Sequence, residues 1–418
     1  MKLSLKSITM SVMILMLFTA CNKGNEDVVY MLPEVKPITL SQEQRQMRDN
    51  NNEFACRLFR TVEEMKQEEG STILSPISVT YLLGMLNSGA DGETRQQITD
   101  VLGLGGSVQE INEYCKKMIE EAPNVDPSVT VQIANCIDVN SALGIKLLKP
   151  YTNDMKNYYH AQIEALDFNK NSSLDKINNW CSKNTDGMIP TILDELNPYA
   201  AMYLLNAIYF KATWTEKFDS NDTRDMDFTK LDGTTTKRQM MHRKAIVQHG
   251  CDNLYSTLCL PYGNNSWSMY VLLPNEDKTV EDILQDLSAQ SLNEHIINTR
   301  VHEVDILMPR FSTATETMLK DVLSSMGMPL AFDANKADFP NMAEGYNLFV
   351  SMMKQKARIE VDEQGTKASA VTIAEMGATS AGPQQYEKDE FHATRPFVYL
   401  IMEESTRTIF FIGTYRGD

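Results

Sequence analysis

The side chains that could act as nucleophiles, bases or metal ligands are scattered along this chain. None of its six histidines stands in an H-E-x-x-H arrangement; they are His160, His242, His249, His295, His302 and His392. No G-x-S-x-G turn presents a serine nucleophile, and Cys181 has no local partner that would mark it as a reactive thiol. The sequence therefore predicts a protein that is not an enzyme, with no cofactor and no metal site, and with His242 and His249 at the surface.

A different kind of chemistry is indicated by the segment VDEQGTKASAVTIAEMG, which begins at Val361. After Gly365 every second residue is small, namely Thr366, Ala368, Ala370, Thr372 and Ala374. In a strand these residues would share one face, and a face of small side chains can enter a packed sheet without adding volume. As a loop the same residues have little to pack against, and Gly365 supplies a hinge. The segment therefore fits two states, an exposed loop and an inserted strand, and an ordinary loop with a chance run of small residues is the alternative.

The segments around this stretch predict a mixed sheet with helices packed on it. Residues 353–362 alternate between an apolar and a charged face, which predicts a strand that leads directly into the hinge. The run MYLLNAIYFKATW, from Met202, is apolar on both faces and predicts a central strand. Helices are expected over Pro76–Gly89, capped by Ser75, and over residues 316–326. The order of helices and strands shows no βαβ alternation, so the sequence predicts an α+β fold with a mostly antiparallel sheet.

Composition and the first residues limit the partners and the compartment. The chain has 418 residues, 42% of them hydrophobic, and a formal net charge of −17. This charge argues against nucleic acid and anionic membrane surfaces as partners. The start, MKLSLKSITMSVMILMLFTAC, has basic residues, a short apolar core and small residues before Cys21, as a secretory signal does. Its last five residues resemble a bacterial lipobox, after which the chain is cut and lipid is attached to the cysteine; a plain signal peptide with a chance cysteine is the alternative.

This start predicts a signal peptide over residues 1–20, a polar tether over 21–40 and one folded domain over 41–418. We expect lipid attachment at Cys21 and a location in the bacterial cell envelope, periplasmic or at the outer-membrane surface, with the membrane contacted only through the lipid. Six further cysteines are dispersed without C-x-x-C spacing. Because Cys56, Cys136 and Cys259 stand in apolar runs, buried free thiols are expected there.

Four segments, in chain order, resemble the serpins, a family of suicide inhibitors of serine proteases. ILSPISVTYLLGMLNSGADGETRQQITDVLG, from Ile73, is similar to the early helix pair of the family, and LLNAIYFKATWTEKF, from Leu204, is similar to its central strand. EVDEQGTKASAVT, from Glu360, resembles its hinge, and RPFVYLI, from Arg395, resembles its closing hairpin. The resemblance extends from about Asn51 to the C-terminus.

The resemblance implies a metastable serpin fold with three mostly antiparallel sheets, about nine helices and an exposed reactive-centre loop, here over about 363–394. A protease cuts this loop and forms an acyl-enzyme. The cut loop then inserts into the central sheet and traps the protease covalently before water releases it. The expected partner is a serine protease, or a papain-like cysteine protease, and the inhibitor is expected to be a monomer. A non-inhibitory serpin that acts as a binding or chaperone-like protein is the alternative.

The resemblance also assigns roles to residues of this chain. Glu363 opens the hinge, Gly365 follows, and Thr366 enters the sheet first. The next inserting residues are Ala368, Ala370 and Thr372. At the breach, where insertion begins, Arg310 is the basic partner of Glu363, and Trp214 lies beneath it.

A second cluster implied by the resemblance is the shutter, where the strands of the sheet must separate. Its members are Ser75, Ser78, Asn206 and Gln355. Gln355 stands where the family often has a histidine, so one pH-sensitive contact is expected to be lost while donor and acceptor capacity is kept.

The resemblance constrains the position of the scissile bond less closely. The family's spacing, about 17 residues counted from Glu363, leads to Thr379, with Ser380 after the cut. The rest of the loop, up to Arg395, is several residues longer than is usual. The rival positions are Met376, Ala378 and Ser380, and the more distant ones are Tyr386 and Lys388. Small or unbranched apolar residues at the cut favour an elastase-like or subtilisin-like protease as the target.

Overall fold

The structure of the protein is a computed structural model that describes residues 34–67, 70–366 and 385–418. These ranges contain nine α-helices and fifteen strands. The helices are α1 (Gln42–Met65), α2 (Pro76–Gly89), α3 (Gly92–Leu102), α4 (Val108–Glu121), α5 (Lys149–Tyr159), α6 (Asn171–Asn184), α7 (Val280–Asp286), α8 (Ala289–Asn298) and α9 (Leu319–Ser325). The strands are β1 (Thr72–Leu74), β2 (Thr130–Asn140), β3 (Gln162–Leu166), β4 (Met202–Thr213), β5 (Arg224–Thr229), β6 (Thr235–Cys251), β7 (Tyr255–Tyr262), β8 (Trp267–Pro274), β9 (Arg300–Pro309), β10 (Phe311–Met318), β11 (Lys354–Asp362), β12 (Gly365–Thr366), β13 (Lys388–His392), β14 (Phe397–Glu403) and β15 (Thr408–Tyr415).

The described strands form two hydrogen-bonded sheets. The six-stranded sheet has the order β10-β11-β12-β4-β2-β3. The nine-stranded sheet has the order β1-β15-β14-β8-β7-β6-β9-β13, with β5 also paired to β6. Neighbours are antiparallel except for β2 with β3 and β13 with β9. The predicted α+β class is confirmed. Two of the three predicted sheets are continuous here because the long strand β6 pairs with β5 and β9 and then, over residues 249–251, with β7.

The strands nearest the hinge follow the sequence pattern. In β11 the side chains of Gln355, Ala357, Ile359 and Val361 are buried, and the alternate residues are at least partly exposed. Strand β4 lies in the interior of its sheet, between β12 and β2, as its two apolar faces predict. The six-stranded sheet therefore presents β4 and β11 on either side of the short strand β12.

The helix predicted over residues 316–326 begins too early. Glu316 belongs to β10, and the helix starts only at Leu319. Strand β10 pairs with β11 along its whole length, and Glu316 forms ion pairs with Lys354 at 2.8 Å and Lys356 at 3.0 Å. Pairing with a neighbouring strand therefore decides the conformation of this segment against its local helical pattern.

Ser75 stands at the N-cap position of α2, as predicted, but its side chain does not cap the helix. Its hydroxyl donates instead to the carbonyl oxygen of Phe410, at 2.8 Å. Ser41, by contrast, caps α1 with a complete capping box that includes Gln44. The difference reflects burial, because Ser75 is fully buried and its hydrogen bonds go to Phe410 of β15 and Gln355 of β11.

Six cysteines lie within the described ranges, and none forms a disulfide. Cys251 is exposed and the other five are buried, which confirms the prediction for Cys56, Cys136 and Cys259. Burial raises the pKa of the Cys181 thiol to about 12, so this thiol is protonated at neutral pH and is a poor nucleophile.

The predicted signal peptide, most of the tether and Cys21 lie outside the described residues, and their assignment stays a prediction. In the part of the chain that is described, no helix is both long enough and apolar enough to span a bilayer.

Candidate functional site

The two-residue strand β12 is seated between β11 and β4. Thr366 pairs with Val361 of β11 on one side and with Ala212 of β4 on the other, and Gly365 pairs with the adjacent residues of both strands. Both pairings are antiparallel. Within the described ranges, no residue of β11 or β4 pairs directly with the other strand. The hinge thus occupies a place in the sheet where the two longer strands are separated.

Gly365 is required here by the close approach of β4. Its φ is +145°, in a region that L side chains rarely adopt. A Cβ at this position would overlap the carbonyl oxygen of Ala212 and would lie 2.7 Å from the Cα of Thr213. The glycine predicted as a free hinge is therefore also the residue that allows β12 to enter the sheet.

We expect Gly365→Ala to displace β12 from the sheet. The readout is hydrogen exchange in the peptide that contains Trp214, whose amide donates to the Gln364 carbonyl at 2.9 Å. Loss of this contact should speed exchange of that peptide by at least about tenfold. The control is Gly233→Ala, at φ +78° with no heavy atom within 4 Å of the added Cβ, which carries backbone strain without the collision. Unchanged protection in Gly365→Ala would contradict the steric argument.

The acidic residue that opens the hinge is paired as the resemblance implies. Arg310 donates from Nε to the two carboxylate oxygens of Glu363 at 2.6 and 2.7 Å, and its terminal nitrogen lies 2.6 Å from the same carboxylate. The hydroxyl of Thr223 also donates to Glu363. Burial alone would raise the pKa of Glu363, but the hydrogen bonds from Arg310 and Thr223 outweigh it and hold the pKa below its usual value. The carboxylate is therefore ionised and firmly held at neutral pH.

Trp214 supports the hinge from below. Its ring is fully buried, stacks on Tyr262 with centroids 4.3 Å apart, and donates from Nε1 to the carbonyl oxygen of Asp362 at 2.9 Å. The hydroxyl of Tyr262 lies 2.6 Å from the Oγ1 of Thr366. Sequence reasoning missed Tyr262 and Thr223, because nothing in their local pattern connects them to a hinge that follows more than a hundred residues later.

The predicted shutter separates into two groups. Ser75 and Gln355 form a reciprocal pair: the Ser75 amide donates to Oε1 of Gln355, and Nε2 of Gln355 donates to the Ser75 carbonyl, both at 2.9 Å. Ser78 joins them through its hydroxyl, 3.2 Å from that of Ser75. Asn206 does not join this group and donates instead to Asn135 at 2.9 Å. Gln355 therefore uses both the donor and the acceptor capacity expected of it, and both hydrogen bonds go to the backbone of Ser75.

The remaining loop residues are placed as follows. The loop is predicted over residues 363–394. Within that range, Gly365–Thr366 form β12 and Lys388–His392 form β13, so both ends of the range contain strands. Lys388 belongs to β13, where it pairs with Glu303, and Tyr386 lies just before that strand. The other hinge positions and the candidate scissile residues lie outside the described ranges; these are Ala368, Ala370, Thr372, Met376, Ala378, Thr379 and Ser380.

A family model described as serpin (serine protease inhibitor) matches residues 49–416. This chain belongs to the serpin family. Leukocyte elastase inhibitor of Xenopus tropicalis is 31% identical over 380 residues, which cover 87% of this serpin and 97% of that protein. The residues that the family model matches include the breach, the shutter and both described ends of the loop.

Two solved structures extend the comparison. The thermophilic serpin tengpin in its native state superposes with a TM-score of 0.81 at 28% identity and covers 92% of this serpin and 96% of that chain. Human thyroxine-binding globulin complexed with thyroxine superposes with a TM-score of 0.80 at 27% identity and covers 89% and 98%. The serpin fold is thus shared with a protein named for inhibiting a protease and with one that binds a small ligand.

Proposed function

We propose that this serpin is an irreversible suicide inhibitor of elastase-like or subtilisin-like serine proteases. The observation that supports this proposal most directly is the pairing of β12 with β11 on one side and β4 on the other. Two residues of the hinge, Gly365 and Thr366, already pair with strands on both sides, and this pairing sets the register in which the cut loop would continue.

The small alternating residues fit this register. Thr366 is 2% exposed, and residues at every second position after it would turn to the same buried side of a lengthening strand. Those residues are Ala368, Ala370 and Thr372. None is charged or bulky, so a lengthening strand would meet little steric resistance from the core.

The energy available from insertion is large. About 14 inserted residues would span roughly 45 Å and would form new ladder hydrogen bonds with both β11 and β4. A dozen or more such bonds, at about 0.5–1.5 kcal/mol each, would release on the order of 10 kcal/mol. Inhibition is then a race in which insertion must displace the bound protease before water cleaves the acyl-enzyme.

We expect incubation with pancreatic elastase or subtilisin to give a protease–serpin complex that survives SDS, with trypsin as the comparison. Mass spectrometry should show that the released C-terminal fragment begins at Ser380, which places the cut after Thr379. A cut outside residues 376–381 would overturn the assigned bond. Cleavage without any stable complex by all proteases tested would instead favour the non-inhibitory alternative, a binding or chaperone-like serpin.

We further propose that Cys21 carries a lipid that anchors this serpin in a bacterial envelope. The support is the lipobox-like ending Leu17–Cys21 after a basic and apolar start. If the anchor is correct, Cys21→Ala should move the protein from the membrane fraction to the soluble fraction after cell lysis. Equal distribution of the two forms would refute the anchor without affecting the inhibitory proposal.

A further inference from the structure

Four of the six histidines lie on three adjacent strands of the nine-stranded sheet. His242 and His249 are on β6, His302 is on β9, and His392 is on β13. The expectation that His249 is a surface residue is wrong, because it is only 5% exposed. Strand β13 completes this arrangement as the edge strand that receives the chain after the reactive-centre loop.

Strand pairing places His249, His302 and Asp389 on one face. On β9, His302 lies opposite Val247, two residues from His249, and Asp389 on β13 lies opposite Val304, two residues from His302. Because side chains alternate along a strand, all three point to the same side. One atom from each, a ring nitrogen or a carboxylate oxygen, lies within 4.8 Å of the other two.

The three side chains converge on a single oxygen. The Oδ2 of Asp389 is 2.9 Å from Nδ1 of His249 and 2.5 Å from Nδ1 of His302. Even so, Nδ1 of His302 forms no well-directed hydrogen bond, and the buried Nε2 of His249 has no partner among the described residues. The Nδ1 of His302 is thus a buried imidazole nitrogen beside a carboxylate without a satisfied hydrogen bond, which is costly unless something else binds there.

We propose that His249, His302 and Asp389 form a binding site for Zn²⁺. Zinc takes imidazole nitrogen and carboxylate oxygen at about 2.0–2.2 Å in tetrahedral geometry, which sets neighbouring ligand atoms about 3.3 Å apart. The two separations from Oδ2 of Asp389, 2.9 and 2.5 Å, are shorter than this value, so the side chains must move apart by less than about 1 Å to hold the ion. The fourth position falls to water.

The site would join three strands through one ion. In the described part of the chain, β13 pairs only with β9, as a parallel edge strand of five residues. An ion held by His249 would also tie β13 to β6, one strand further into the sheet. Zinc would therefore fix β13, the strand through which the chain rejoins the sheet after the reactive-centre loop.

No sequence motif marks this site, because its three ligands come from separate strands. The spacings between positions 249, 302 and 389 match no zinc-binding pattern. The expectation of no metal site followed from that lack of pattern, and the fold brings the residues together regardless.

The test is zinc binding to the full chain by equilibrium dialysis and calorimetry at neutral pH. We expect one Zn²⁺ per chain, and binding at least about 100-fold weaker in His302→Ala and in Asp389→Asn. The matched control is His242→Ala, on the same strand β6 but bound to Asp305 at 2.8 Å on the opposite face, which should bind zinc within about twofold of the wild type. Cys251→Ser controls for the exposed thiol nearby and should bind equally well.

Hydrogen exchange provides a second readout that does not depend on the variants folding normally. Zinc should slow exchange in residues 388–392 of the wild-type protein and leave α1 unaffected. Failure of the wild type to bind zinc, or undiminished binding by both ligand variants, would overturn the site. Neither result bears on protease inhibition.

Discussion

We expect Thr366→Arg to convert this serpin from the proposed inhibitor into a protease substrate. The side chain at this position is buried, lies 2.6 Å from the Tyr262 hydroxyl and belongs to the first pair of residues inserted between β11 and β4. A guanidinium placed there would be buried and would lose several kcal/mol of hydration, and the carboxylate of Glu363 is already held by Arg310. Insertion should then slow by at least about 100-fold, since each 1.4 kcal/mol is a factor of ten in rate. Hydrolysis of the acyl-enzyme would then be faster than loop insertion.

The measurement is the number of serpin molecules consumed per molecule of protease inhibited, together with the yield of SDS-resistant complex. Thr366→Arg should give cleaved serpin and almost no complex, whereas Thr366→Val, which keeps the size and adds no charge, should still form complexes. If the arginine variant trapped protease as well as the wild type, loop insertion would not be the mechanism of this protein.

Cleavage of the loop should raise the melting temperature of the wild-type serpin by roughly 10–15 °C. Unfolding entropy is about 2.1 cal/mol/K per residue, or on the order of 0.8 kcal/mol/K for a domain of this size. An additional 10 kcal/mol from new ladder bonds corresponds to that shift. Calorimetric scans of intact and loop-cleaved protein at one scan rate measure it, because the melting temperature of an irreversible transition depends on the scan rate.

Cleaved Thr366→Arg is the matched control for this experiment. Its loop is cut at the same bond but cannot insert, so it should melt close to its own intact form. A wild-type protein that melts no higher after cleavage would show that the intact form is not metastable, even if a complex with the protease were observed.

The strands of this serpin could be predicted from the sequence where side-chain burial alternates strictly. Residues 353–362 illustrate this, because one face of β11 packs on the core and the other remains more polar. Prediction failed where a partner strand overrules the local pattern: residues 316–318 have a helical pattern but form the end of β10. The number of sheets could not be derived either, because it depends on which neighbours the long strand β6 pairs with at each end.

The candidate site divides in the same way. Family resemblance located Glu363 and Arg310, which the structure brings within hydrogen-bonding distance. It gave no indication of Tyr262, whose ring lies against Trp214 only because β4 and β7 end side by side. Likewise, the resemblance groups Asn206 with Gln355, yet the geometry of the sheet gives Asn206 its partner in Asn135. Contacts between distant segments are set by packing, which single-sequence patterns do not record.

The reciprocal hydrogen bonds between Ser75 and Gln355 do not depend on pH over the ordinary range. A carboxamide neither gains nor loses a proton between pH 4 and 9, and the backbone amide and carbonyl it contacts do not either. A histidine in that place would change its charge near pH 6.5 and would alter the force holding the strands together. Mild acidification therefore leaves this pair of hydrogen bonds between Ser75 and β11 unchanged.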